Sequence, residues 1–273
     1  MVHLDLDPAR VRDDFNVQPF LVRHGLSDHP AFTFERLLEL ARRLPPEMVE
    51  YNAGDLPLTQ DPTLTPRTGL SIDETIRRIH EARSWMVLKR VEADAEYNRI
   101  LDECLEHVMP LAPAMRQKQA FVFISSPGSV TPYHIDHEYN FLLQIRGTKH
   151  MSIFDRSVLP EETLERFYRG EHRNLVFDET RAGEGKTFEL TPGHGVHVPV
   201  NAPHYVKNGP EASVSFSITF RTPQGDRRST VYRVNERMRS LGIKPRPVGQ
   251  APLVDRAKHL GYDLYKRAQR LTR

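Results

Sequence analysis

Cysteine is nearly absent from this chain of 273 residues. Cys104 is the only one, which excludes an intrachain disulfide and a thiolate zinc cluster. Long apolar runs are missing too, so nothing approaches the ~20 residues needed to cross a bilayer. The start, Met1 to Asp7, is too polar and acidic for a secretory signal. These absences lead to the expectation of a cytoplasmic protein with no membrane partner. No nucleic-acid motif or histone-reading module is recognisable. A strong net charge is lacking as well, at a formal +2, but this balance conceals two opposed parts. Residues 221–273 hold fourteen Lys/Arg against four Asp/Glu, a net of +10, and residues 1–220 carry a net of −8.

The length fits one good-sized domain with additions, or at most two. In the first part, Phe34, Leu37, Leu38 and Ala41 recur at helical spacing between Ala31 and Leu44, with Thr33 as N-cap. Ser71-Ile-Asp-Glu74 is a capping box, followed by Ile76 and Ile79 on the face of Ile72. Tyr97, Ile100, Leu101, Cys104, Leu105 and Val108 form a helical stripe, which makes Cys104 a core thiol. Ser84 to Val91 is apolar and β-branched enough for a strand. Between them, residues 52–69 are rich in Pro, Thr and Asp and read as a long loop, either a substrate lid or irregular surface.

From Phe121 the pattern changes to short strands with turns at Phe121–Ser125, Phe141–Ile145, His150–Phe154, Val196–Val200 and Ser213–Phe220. Such spacing argues a sandwich or barrel, here mainly β: a double-stranded β-helix (cupin/jelly-roll) core with flanking N-terminal and C-terminal α-helices. The expected divisions are a mixed N-terminal region over 1–115, the jelly-roll core over 116–222 and a basic helical region over 223–273. The charged stretch 156–187 carries one short helix around Leu164 and Phe167.

The most informative segment is Thr131-Pro-Tyr-His-Ile-Asp-His-Glu-Tyr-Asn140. Side chains two apart on a strand point the same way, so His134 and Asp136 form an H-x-D pair able to bind metal from one strand face. With a second histidine they make the 2-His-1-carboxylate facial triad that holds Fe(II) and leaves coordination positions open. Three further features keep it company: Asn140-Phe141, Gln144-Ile-Arg-Gly-Thr-Lys149, and Pro199 five residues before His204.

In this order and spacing, together with Gly128 and Thr131, the segment from Phe121 to Phe220 resembles the JmjC and cupin-like Fe(II)/2-oxoglutarate oxygenases. Within them it is most similar to the branch containing the asparaginyl hydroxylase of hypoxia-inducible factor. The resemblance implies His134, Asp136 and His204 as iron ligands, Lys149 and Thr131 on the distal carboxylate of 2-oxoglutarate, and Asn140 near the cosubstrate's metal-bound end. It favours His204 as the distal ligand because the family places that residue after a proline-bounded loop and before a strand. His194 stands where many relatives carry aspartate; His197 and His137 read as surface or supporting residues. Charge arithmetic agrees: Fe(II) with one carboxylate is +1, 2-oxoglutarate is −2, and Lys149 brings the buried sum to zero.

The stretch Ser213–Phe220 alternates, with Val214, Phe216, Ile218 and Phe220 on one face and hydroxyls on the other, the mark of a half-buried strand. Ser217 is a candidate for the wall of the cosubstrate pocket; a solvent-facing strand is the alternative. Val231, Val234, Met238 and Leu241, then Val254, Ala257, Leu264, Ala268 and Leu271, give two amphipathic helices, which in the resembled branch form a homodimer interface. A footprint for nucleic acid is the other reading of that basic region, although Tyr232, Tyr262 and Tyr265 are too few and too helically placed to be a stacking platform.

The implied activity is hydroxylation of an unactivated carbon with Fe(II), 2-oxoglutarate and O2, releasing succinate and CO2. The implied substrate is a protein or peptide side chain, with RNA or a small metabolite open. A non-catalytic cupin that binds a ligand or nucleic acid is the alternative of a different class.

Overall fold

The computed structural model describes residues 4–271, so Met1–His3 of the polar start, and Thr272 and Arg273, lie outside the described residues. The first part contains β1 (Leu4–Asp5), α1 (Pro8–Val11), β2 (Phe20–His24), α2 (Phe34–Arg43), β3 (Val49–Ala53), α3 (Ile72–Arg77), β4 (Ser84–Lys89) and α4 (Ala95–Val108). It continues with β5 (Arg116–Ser125), β6 (Val130–His134), β7 (Tyr139–Arg146), β8 (Lys149–Ile153), α5 (Glu161–Arg169), β9 (Lys186–Leu190), β10 (His194–Val198), β11 (His204–Asn208) and β12 (Ser213–Arg221). Two long helices follow, α6 (Pro223–Ser240) and α7 (Pro252–Leu271).

The helices of the first part begin where local chemistry satisfies their free N–H groups. Thr33 Oγ1 accepts from the Arg36 N–H at the start of α2, and Ser71 and Glu74 form the reciprocal capping box of α3. The apolar faces of α2 and α4 are buried in one cluster with Val214, Phe216, Ile218 and Phe220 of β12. Cys104 lies in that cluster, and burial pushes its thiol up to about 12, far from a reactive thiolate.

Among the described residues the strands form an eight-stranded sheet, order β1-β2-β10-β7-β12-β5-β4-β3, and a four-stranded sheet, order β6-β11-β8-β9. This is the double-stranded β-helix. Strands from the first ninety residues belong to the large sheet, since β2 pairs β10 and β4 pairs β5. A second apolar cluster, with Leu142, Met151, Ile153, Leu190, Val196, Val198 and Val206, fills the interior between the sheets. In consequence β12 is buried on both faces, not half-buried. Its apolar side meets the helices, and Ser213, Ser215, Ser217 and Thr219 face the barrel interior. That excludes the solvent-facing reading of this strand.

The chain divides into two units. One runs through Asp155 and includes Asn174–Phe220; the other joins Arg156–Arg173 to the chain from Arg221 on. In the second unit, α5 packs on α6 through the stacked rings of Tyr168 and Tyr232, 5.1 Å apart. Arg239 grips the buried Glu165 with two hydrogen bonds of 2.7 and 3.1 Å. Lys258 of α7 donates to Asn235 Oδ1 of α6. The apolar stripe of α7 is turned outward, with Leu253, Leu264 and Leu271 at 83, 66 and 88 % exposure.

The β7–β8 turn is built around Gln144. Its Nε2 donates to the Arg146 and Gly147 carbonyls and to Ser213 Oγ, and its Oε1 accepts from Ser215 Oγ. Gly147 sits at φ +69°, and a Cβ there would lie 2.6 Å from the Ala212 carbonyl oxygen. We expect Gly147→Ala to lower the unfolding free energy by roughly 2 kcal/mol or more. Gly69→Ala, at φ +73° in open space, should cost about 1 kcal/mol. Equal losses in urea unfolding would show that the close approach at Gly147 is unimportant.

Candidate metal centre

The small sheet delivers the ligands. His134 is the last residue of β6 and His204 the first of β11, and the two are direct cross-strand partners. Their rings lie 4.1 Å apart. The H-x-D pair does not share one strand face, because β6 ends at His134 and Asp136 lies beyond it. Ile135 is fully buried, and the turning chain brings Asp136 Oδ2 to 3.6 Å from His134 Nε2 and 3.5 Å from His204 Nε2. The three ligand atoms lie within 4.8 Å of one another.

Both imidazoles are oriented by their own backbone. His134 Nδ1 is 2.7 Å from the Pro132 carbonyl and His204 Nδ1 is 2.9 Å from the Ala202 carbonyl. A carbonyl can only accept, so each ring carries its proton on Nδ1 and turns the Nε2 lone pair inward. Two neutral nitrogens and one carboxylate on converging vectors suit a divalent ion such as Fe(II). The histidines are buried and the Asp136 side chain is 22 % exposed, so the cluster opens on the carboxylate side.

Other sequence candidates line the same interior. The β6–β11 register shifts between His204/His134 and Val206/Thr131, giving β6 one extra residue. Such a bulge reverses the alternation, so Thr131 shares the inner face with His134 although the two are three apart. Ser217 Oγ donates to Asn140 Oδ1 at 2.8 Å, which joins two residues that the sequence offered separately. Lys149 is 4 % exposed and stands on the inner face with Met151 and Ile153. Its Nζ lies 5.6 Å from the Phe123 ring centre. Burial pulls its pKa down to about 7. Since Lys149 pairs with Asn208, four residues along β11 from His204, the lysine and the ligand cluster are rooted about 13 Å apart. A dianion with one end at the metal and the other at the ammonium fits this interior in charge.

A family model described as the JmjC domain matches residues 83–227. The chain belongs to the JmjC-domain family. Its JmjC core therefore combines the family's jelly roll with an H-x-D…H ligand set. Among solved structures, it is similar to YcfD, a ribosomal oxygenase from Escherichia coli, at 16% identity over 96% of this chain and 67% of that one, TM-score 0.55. It is also similar to the same protein in complex with cobalt and 2-oxoglutarate, at 16% identity over 97% and 68%, TM-score 0.57. No curated protein matches the sequence.

Two residues that support the JmjC core from outside it, Asn16 and His24, escaped sequence reasoning, and a third, His197, was left between two readings. Of the two readings of His197, surface or supporting, the structure selects the second: it is fully buried, packed against Phe15, Phe20 and Phe141. Its Nε2 accepts from the Asn16 N–H and its Nδ1 donates to the Asn140 carbonyl, each at 3.1 Å. Burial pushes its pKa down to about 3, so it stays neutral. Asn16, at φ +59°, also accepts from the Val200 N–H through Oδ1 at 2.8 Å and so anchors the loop before His204. His24, pushed down to about 4 by burial, bonds the Gln144 and His194 carbonyls. A hint lay in His197 sitting between Val196 and Val198, but its partners are some sixty and 180 residues away.

The residues 54–60 run beside the free edge of β6. Gly54 and Leu58 carbonyls accept from the Val130 and Tyr133 N–H groups, and Asn174 makes a bridge to His134. The long loop thus flanks the ligand strand.

The buried Lys149 carries a measurable cost. Its folded pKa lies below the unfolded value, so between about pH 7 and 10.5 the unfolded chain binds more protons and stability rises with pH; below about 7 the penalty is complete. Lys149→Met should raise the melting temperature of the metal-free protein at pH 7, by the equivalent of a few kcal/mol at most, and flatten its rise toward pH 10. A lower melting temperature with an unchanged pH slope would contradict this.

Proposed function

We propose that this protein is an Fe(II)/2-oxoglutarate-dependent oxygenase that hydroxylates an unactivated carbon of a protein or peptide side chain. The observation that carries the reading is one barrel interior holding both the ligand triad and a buried ammonium that, among the described residues, has no carboxylate beside it. When bound, the iron and cosubstrate supply the O2 chemistry that releases succinate and CO2. His134, Asp136 and His204 hold the metal from one side. Lys149 and Thr131 take the distal carboxylate of the cosubstrate, and Asn140, steadied by Ser217, lies toward its metal-bound end. The Gln144–Lys149 turn supports the finer likeness to the asparaginyl hydroxylase branch.

The net charge of −8 over residues 1–220 favours a basic polypeptide as substrate over a phosphate-rich strand. A relative named as a ribosomal oxygenase points to the same kind of substrate. The outward apolar stripe of α7 supports a homodimer, because a contiguous exposed patch of that kind marks an interaction surface. No helix among the described residues is long and apolar enough to cross a membrane, and the lone thiol fits the cytoplasm.

Anaerobic Fe(II)-loaded protein should show a metal-to-ligand visible band on adding 2-oxoglutarate. Asp136→Ala should abolish it, and Lys149→Ala should weaken cosubstrate affinity roughly a hundredfold. In air the wild type should form succinate, and chelation of the metal should stop it. A folded, iron-loaded wild type with no band would leave the non-catalytic binding protein as the better reading. For the dimer, light scattering should give twice the chain mass for wild type and the chain mass for Leu264→Glu; a monomeric wild type would remove this assignment.

A further inference from the structure

Two buried side-chain oxygens, Ser125 Oγ and Asn208 Oδ1, have no hydrogen-bond partner among the described residues. An unsatisfied buried acceptor is costly, so each calls for an explanation. Both stand around Lys149. Asn208 is its direct cross-strand partner, and side chains of such a pair rise from one face with Cβ atoms about 5 Å apart. Ser125 is two residues beyond Phe123 on β5, hence on the same face, and it is the Phe123 ring over which the ammonium lies. All three residues are more than nine-tenths buried.

The orientation of the Asn208 amide is set by its neighbours. Nδ2 donates to the Ser129 carbonyl at 2.8 Å and to Ser129 Oγ at 3.0 Å. Ser129 Oγ spends its own proton on the Ser126 carbonyl. A carbonyl cannot donate, so the amide cannot be reversed and Oδ1 must face away from Ser129. That oxygen can only accept, and a carboxylate could not satisfy it. An ammonium has three donors and no acceptor.

We propose that Asn208 and Ser125 are positioning residues for Lys149. In the cosubstrate complex two of its N–H groups go to Asn208 Oδ1 and Ser125 Oγ, and the third goes to the distal carboxylate. This rests on the 2-oxoglutarate reading above. The two oxygens stabilise the charged lysine once the dianion is bound, and they fix the point at which the far end of the diacid must stop. Cosubstrate length is thereby selected by a seated cation.

Calorimetric titration of 2-oxoglutarate into anaerobic Fe(II)-loaded protein between pH 6 and 9 tests this. Wild-type affinity should fall above neutral pH as the lysine loses its proton. Ser125→Ala, which deletes only an unpartnered hydroxyl, should leave the melting temperature of the metal-free protein unchanged or raised. It should weaken binding about tenfold while the pH at which affinity begins to fall stays put, because the bond to the lysine forms only in the complex. Asn208→Asp places a carboxylate beside the lysine, so its fall should move to higher pH while binding weakens through lost positive charge. A purely structural role would neither weaken binding in Ser125→Ala at an undiminished melting temperature nor move the Asn208→Asp profile. If wild type binds, Lys149→Met does not, and both variants keep the wild-type affinity and profile, this inference fails and the oxygenase reading stands. If wild type does not bind, the oxygenase reading fails and this inference with it.

Discussion

The pairing of β6 with β11 is the constraint on which the centre depends. It sets His204 opposite His134 across two strands that are seventy residues apart in the chain. It also carries the bulge that swings Thr131 to the inner face. A slip of one residue would send these side chains to the outer face, so the metal centre is only as well defined as this register. The free edge of β6 is covered by residues 54–60 and the chain around Asn174, which closes the pairing on its open side. The loop before His204 is held in turn by the Asn201 N–H on the Asp136 carbonyl and by Asn16 on Val200.

Function here is bought with stability. A lysine enclosed in the barrel interior, with its ammonium over an aromatic ring, is a poor choice for folding. Under the proposed function, a dianion beside the metal site would compensate it. The unsatisfied oxygens of Ser125 and Asn208 belong to the same economy of charge. Polar groups left short of partners in a buried interior are what a binding site retains when its ligand completes the bonding.

Much of this was legible in the chain. The stripes of α2 and α4, the capping box of α3, and the strand β4 follow from spacing and capping chemistry that act within a few residues. The ligand triad was legible through its motif, and so was the Gln144-to-Lys149 turn, whose glycine is now explained by the Ala212 carbonyl packed against it. Less legible were β1, β2, β3 and β9, short strands whose residues alternate weakly or carry charge, as in Lys186–Leu190. They exist because neighbours offer hydrogen bonds, a condition that no local pattern records. For the same reason the sequence left His197 between a surface and a supporting role: only the fold brings the Asn16 N–H and the Asn140 carbonyl to its two ring nitrogens in the core.

By itself the sequence determined which chemistry is available: two histidines and a carboxylate at ligand spacing, a lysine fifteen residues on from His134, no thiolates, and helices whose ends are locally capped. Tertiary structure alone decided which face each residue serves. Asp136 meets the histidines by a turn past the strand end, Thr131 turns inward by a bulge, and Asn140 meets Ser217 across two strands. The physical reason is that spacing fixes direction only within an unbroken element. Strand ends, bulges and pairing partners are set by hydrogen bonds between segments far apart in the chain.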